Sequence, residues 1–127
     1  AVMAFSGQLA NQIYAGADMF LMPSISEPCG LSQMIALRYG TVPIVRQTGG
    51  LADSVFAFSP VTEQGNGITF ATVNAHDMLW AINRGLEYYK DKSLWSILMN
   101  NAFNSENSWQ APAEKYIKIY KELLADI

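Results

Sequence analysis

Two short loops concentrate the residues of this sequence that can do chemistry. In Glu27-Pro28-Cys29-Gly30-Leu31-Ser32 a carboxylate stands three positions ahead of a glycine, and Thr48-Gly49-Gly50 brings two adjacent glycines together. An ionised Glu27 accepts hydrogen bonds and donates none, so hydroxyl groups are its natural partners. The amides of Cys29, Gly30, Leu31 and Ser32 stand where a helix is expected to start, and free amides at a helix start attract anions. A carboxylate repels phosphate. Both features therefore suit one ligand when it has a hydroxylated part and a phosphorylated part, as a sugar nucleotide does. The plainer readings are a solvated loop carboxylate for Glu27, an ordinary helix N-terminus for Cys29 to Ser32, and a plain loop for Thr48 to Gly50. Gly30 has no other evident turn duty. Cys29 is either a reactive thiol near a helix start or a packing residue whose backbone matters.

The elements that must position these loops are legible around them. Met19 to Met22 is an apolar run bounded by Asp18 and Pro23, the pattern of a buried parallel strand. Leu31, Met34, Ile35, Leu37 and Arg38 recur at helical spacing, with Gly40 as the cap beyond Tyr39. Val42 to Arg46 reads as a strand that tolerates Pro43 near its start, and Leu51 to Val55 as a helical turn with Asp53 favouring its N-terminus. Both loops thus follow strands, where ligands bind in open α/β sheets. Val2 to Phe5 is a short apolar candidate strand. Gln8 to Ala15 is a helix with Leu9 and Ile13 inward, ended by Gly16. Residues 56–66 read as a loop and Gly67 to Phe70 as a strand. Three helices follow: one capped by Asn74 and running to Tyr89, one from Ser93 to Phe103, and one after Pro112. Trp80, Trp95 and the tyrosines at helical spacing are expected in the core; His76 is expected at the surface. Arg46 contacts a phosphate or caps the sheet. Alternating strands and helices followed by helices predict an α/β fold with a parallel sheet of three or four strands flanked by helices.

Composition narrows the function. The chain has 127 residues, half of them apolar and 15% charged, which is one folded domain rather than a disordered segment. A net charge of -3 without a basic stripe argues against nucleic acid and acidic membranes as partners. No apolar run reaches the ~18 residues of a membrane helix, and no signal-peptide pattern is visible. The single cysteine leaves no disulfide framework and no multi-cysteine metal site, which suits a reducing compartment. Neither a metal nor a cofactor is expected. The start at Ala1-Val2-Met3 reads as a cut inside a longer protein.

Four segments together resemble one family: 18–24, Glu27-Pro28-Cys29-Gly30-Leu31, Arg38 to Arg46, and Thr48-Gly49-Gly50-Leu51-Ala52-Asp53-Ser54-Val55. They are similar to bacterial glycogen synthases and plant starch synthases, as is Ser108-Trp109 ahead of the last helix. The resemblance covers nearly the whole chain and is thinnest over 56–65 and 104–107. It implies a GT-B enzyme with two Rossmann-like lobes that moves glucose from ADP-glucose to the non-reducing end of an α-1,4-glucan with retention. It further implies that residues 1–127 are the second half of the C-terminal, nucleotide-sugar-binding lobe. The N-terminal lobe and the family's diphosphate-binding Arg and Lys would then lie outside the chain.

Under this resemblance Glu27 accepts from glucose hydroxyls, Cys29 to Ser32 donate to sugar and diphosphate oxygens, and Thr48, Gly49 and Gly50 form a second wall. Phe5 matches an adenine-stacking aromatic by spacing, or is a core residue. The related enzymes' second glutamate, eight positions on, is replaced by Ile35, which removes one ribose-binding carboxylate. The implied partners are ADP-glucose or ADP, the glucan acceptor and the absent lobe, with self-association of the fragment through exposed apolar surface. The implied location is the cytoplasm, or a plastid for a plant enzyme. A non-catalytic nucleotide-sugar module on the same fold is the alternative. A retaining glycosidase needs two carboxylates about 5 Å apart; only Glu27 and Asp53 qualify, and Asp53 reads as a helix-start residue.

Overall fold

The computed structural model describes residues 2–125. Its elements run in the order α1 (Gly7–Gly16), β1 (Met19–Met22), α2 (Ser32–Arg38), β2 (Val42–Arg46), α3 (Gly50–Ser54), β3 (Ile68–Phe70), α4 (Ala75–Lys90), α5 (Lys92–Phe103) and α6 (Gln110–Ala125). The three strands form one parallel sheet in the order β1-β2-β3. The expected α/β class is therefore observed, at the lower strand count. Val2 to Phe5 adds no strand: these residues are exposed and irregular. A four-residue apolar stretch with no neighbouring strand to pair with has no ladder to join.

β2 is central and its first four residues are buried, so its apolar run has no polar alternation. Val42 and Ile44 face a cluster with Phe58, Ile68, Phe70, Ala81, Trp95 and Leu98. Val45, on the other face, packs with Leu37, Leu51, Val55 and Ala102. Pro43 costs no ladder bond. Val42 N–H donates to Asp18 O on the β1 side, so the next backbone nitrogen faces the β3 side. There the pairing begins only at Ile44 opposite Ile68.

β1 was expected to be buried, yet it is an edge strand, only half-buried, with Leu21 42% exposed. α1 buries no residue, and Ile13 lies outward. Ala17, rather than Gly16, caps α1. Its end is tied down by Thr41 Oγ1, whose one proton lies within hydrogen-bond reach of the carbonyls of Tyr14 and Ala17. Trp95 is in the core as expected. Trp80 is not: it is 59% exposed, with the Arg84 guanidinium 4.0 Å above its ring. Tyr88 and Tyr89 are half-buried against the core, whereas Tyr39, Tyr116 and Tyr120 are exposed. Gly40 follows the cap residue Tyr39 with φ +76°. Asn74 and Asp91 cap α4 and α5 through their side chains.

Candidate functional site

The loops after β1 and β2 meet backbone to backbone. Gly50 N–H donates to Glu27 O at 3.0 Å. A Cβ on Gly49 would stand 2.0 Å from Glu27 O, and one on Gly50 would stand 2.0 Å from Cys29 O. Gly49 also has φ +46°, which side chains rarely adopt. The two glycines are therefore required by close approach, and they seat the Glu27 loop directly on the start of α3. Glu27, Cys29, Gly49 and Gly50 are brought together at the carboxyl ends of adjacent parallel strands, the position ligands take in such sheets.

Arg46, the last residue of β2, holds the other side of that loop. Its Nε donates to Ser24 O at 3.0 Å, its Nη2 to Ile25 O, and its Nη1 to Ala71 O at 3.4 Å. The guanidinium thus does more than close the sheet: it ties the Glu27 loop to β2 and to the chain beyond β3. The Glu27 carboxylate is half-exposed and accepts from Ser24 Oγ at 3.4 Å. Among the described residues the only ion pair is Lys118 with Glu122, so no cation neutralises Glu27.

α2 starts without a side-chain cap and without an acidic residue in its first turn. Its first bond back is from Ile35 N–H to Leu31 O. The amides ahead of it remain free for a ligand or water. Ser32 is the first helical residue and Leu31 the cap. The Cys29 side chain is exposed rather than packed, and its backbone carbonyl lies over Gly50. The buried face of α2 is Gln33, Ala36 and Leu37. Of the residues at helical spacing Leu37 is buried, whereas Leu31, Met34, Ile35 and Arg38 line a groove of about 510 Å³ with Ser105 to Ser108. Thr48 is half-buried beside Gly49, and its carbonyl accepts from Leu51 N–H. Phe5 stands apart, ahead of α1 and fully exposed, so it is not a core residue. Asp53 and His76 are exposed.

The residue that sequence reading missed is Gln33. It is fully buried under the Cys29–Gly30 turn, and its Nε2 lies within hydrogen-bond distance of Cys29 O, Gly30 O and Ser54 Oγ. The available signal was a glutamine at the inward position of an otherwise apolar helix face. Among the described residues no group of three His, Cys, Asp or Glu could hold a metal, and no helix is long and apolar enough to cross a membrane.

The sequence model of the glycosyl transferases group 1 family matches residues 4–97. The chain belongs to this family. Among group 1 glycosyl transferases it is similar to the glycogen synthase of Anoxybacillus flavithermus, 56% identical over 97% of this chain and 25% of that protein. The glycogen synthase of Clostridium novyi is 53% identical over 94% of this chain and 25% of that protein. The structure of this chain is similar to the catalytic domain of starch synthase IV from Arabidopsis thaliana bound to ADP and acarbose. That match has a TM-score of 0.86 and 40% identity, covering 95% of this chain and 25% of that one. The sucrose-phosphate synthase of Thermosynechococcus elongatus matches with a TM-score of 0.66 at 25% identity, over 99% of this chain and 30% of that one. The chain spans about a quarter of the length of the glycogen synthases it matches.

Proposed function

We propose that this group 1 glycosyl transferase chain is the second half of the C-terminal, donor-binding lobe of a two-domain retaining glucosyltransferase. The whole enzyme moves glucose from ADP-glucose to the non-reducing end of an α-1,4-glucan, in glycogen or starch synthesis. The observation that carries this reading is the seating of the Glu27–Cys29 backbone on Gly49–Gly50 at the strand ends. That contact makes one surface with a free carboxylate and unsatisfied amides, the two functions a sugar nucleotide requires. The similarity to glycogen synthases, and to a starch synthase solved with ADP and acarbose, supports a sugar nucleotide as the ligand class.

In this reading Glu27 accepts from glucose hydroxyls and orients the sugar. The amides of Cys29, Gly30, Leu31 and Ser32, with the Ser32 hydroxyl, donate to sugar and diphosphate oxygens. Thr48, Gly49 and Gly50 wall the pocket opposite. Phe5 is free to stack on adenine. Arg46 keeps its charge but spends three N–H groups on carbonyls, so further positive charge for the leaving diphosphate comes from outside the chain, as do the acceptor-binding surface and the closing lobe. The test is glucosyl transfer from radiolabelled ADP-glucose to an oligosaccharide primer by the full-length protein carrying this chain. Incorporation that falls sharply in Glu27→Ala supports the reading. Equal incorporation by both, or none by the wild type, overturns it.

A further inference from the structure

We propose that Gln33 is a positioning residue of the donor site, a proposal that rests on the donor-site reading above. Gln33 is fully buried in a seven-residue helix whose other buried residues are Ala36 and Leu37. Its Nε2 donates to Cys29 O at 3.1 Å and Gly30 O at 2.9 Å, and lies 3.1 Å from Ser54 Oγ. Ser54 Oγ in turn donates to Gly50 O at 2.6 Å. One amide nitrogen therefore joins the loop after β1 to the helix that follows the loop after β2.

Packing alone does not account for this residue. Its Oε1 is buried without a partner, which is unfavourable where an apolar side chain could fill the same space. What the amide supplies is a donor for two inward-turned carbonyls. In a trans peptide the C=O and the following N–H point in opposite directions. Turning Cys29 O and Gly30 O inward onto Gln33 therefore turns Gly30 N–H and Leu31 N–H outward. Those are two of the amides assigned to donor oxygens. Gly30 fits the same arrangement: its φ is +72°, and a Cβ there would stand 2.5 Å from Gln33 Oε1. Gln33 thus sets the direction of the donor-binding amides without touching the ligand.

The test compares Gln33→Met, which removes the donor, and Gln33→Glu, which donates only when protonated, in the full-length enzyme. Gln33→Met is expected to lower kcat/KM for ADP-glucose by roughly ten- to a hundred-fold, the scale of a small misplacement of binding groups. The KM for the glucan primer should stay unchanged. Gln33→Glu is expected to recover activity relative to wild type as pH falls, because the protonated carboxyl regains an O–H donor. Melting temperatures are measured alongside. Should Gln33→Met fail to fold, Ser54→Ala cuts the link to α3 at a half-exposed position and is expected to give a smaller loss of the same kind. Folded variants with lowered melting temperature but wild-type kcat, KM and pH profile would make Gln33 a purely structural residue and overturn the proposal. A wild type that transfers no glucose overturns the donor-site reading and this proposal with it. A transferring wild type with unaffected variants overturns this proposal alone.

Discussion

Glu27 has one recorded side-chain partner, a long hydrogen bond from Ser24 Oγ, and no cation beside it among the described residues. A carboxylate left so lightly engaged contributes little to folding and is available to a ligand. Glu27→Ala in the full-length enzyme is therefore expected to slow turnover with little change in melting temperature. A charge-assisted hydrogen bond to a sugar hydroxyl is worth roughly 1.5–3 kcal/mol, or on the order of ten- to a hundred-fold in rate when felt in the transition state. Steady-state kinetics and a thermal melt on the same preparation check this; a large drop in melting temperature would assign Glu27 a structural role. Gly50 behaves in the opposite way. A Cβ there collides with Cys29 O, and the obstacle is backbone rather than a flexible side chain. Gly50→Ala is expected to destabilise by about 1–3 kcal/mol, as overpacking does, and to separate the two loops. A denaturation midpoint equal to wild type would show that the loops part freely.

At the scale of elements, the entry to α4 is capped by Asn74 and braced by Asp77 against the preceding turn. Asn74 Oδ1 accepts from Asp77 N–H at 2.8 Å. The Asp77 carboxylate accepts from Thr72 Oγ1 at 2.7 Å and Thr72 N–H at 2.8 Å. The Thr72 hydroxyl first, then its amide, hold the Asp77 carboxyl below its ordinary value. A lowered folded value contributes stability that is present above the unfolded value and is lost as pH falls through the folded one. Asp77→Asn is thus expected to flatten the loss of melting temperature between about pH 5 and 3. Parallel slopes for wild type and variant would contradict this.

The same elements show what a sequence can reveal. β2 and the Asn74 cap were legible because an apolar run between turn signals and an Asn ahead of a periodic helix are local signals. The site loops were legible because their glycines and carboxylate are unusual in sequence. The buried face of α2 was not legible. Spacing marked Leu31, Met34, Ile35, Leu37 and Arg38 as one helical pattern and passed over Gln33, which shares the buried face with Ala36 and Leu37. Trp80 was misplaced for a related reason: its ring covers Arg84 at the surface instead of filling the core. Val2 to Phe5 carried the composition of a strand, but strand formation requires a partner that composition does not reveal.

At the scale of the whole molecule, the sheet ends at β1 with Leu21 exposed, and α6 presents Tyr116, Ile117, Tyr120, Leu123 and Leu124 to solvent. Neither site loop contains a lysine, and Arg46 is already bonded to three carbonyls. On the reading proposed above, the chain by itself offers one wall of a cleft, with Arg46 as the one cation beside the loops and without a lobe to exclude water. The isolated chain is expected to transfer no glucose from radiolabelled ADP-glucose to an oligosaccharide primer. Primer lengthening above a Glu27→Ala control would show that the site is complete within these 127 residues.

The central claim is that the donor sits on the surface made by the two facing loops. Hydrogen–deuterium exchange of the full-length enzyme, with and without ADP-glucose, reads that surface directly. The expected result is slowed exchange in the peptides spanning 27–33 and 47–51, with the protection reduced in Glu27→Ala. Protection absent from both peptides and confined to the polar groove lined by Glu63, Asn66 and Asn101, or to other parts of the chain, would contradict it.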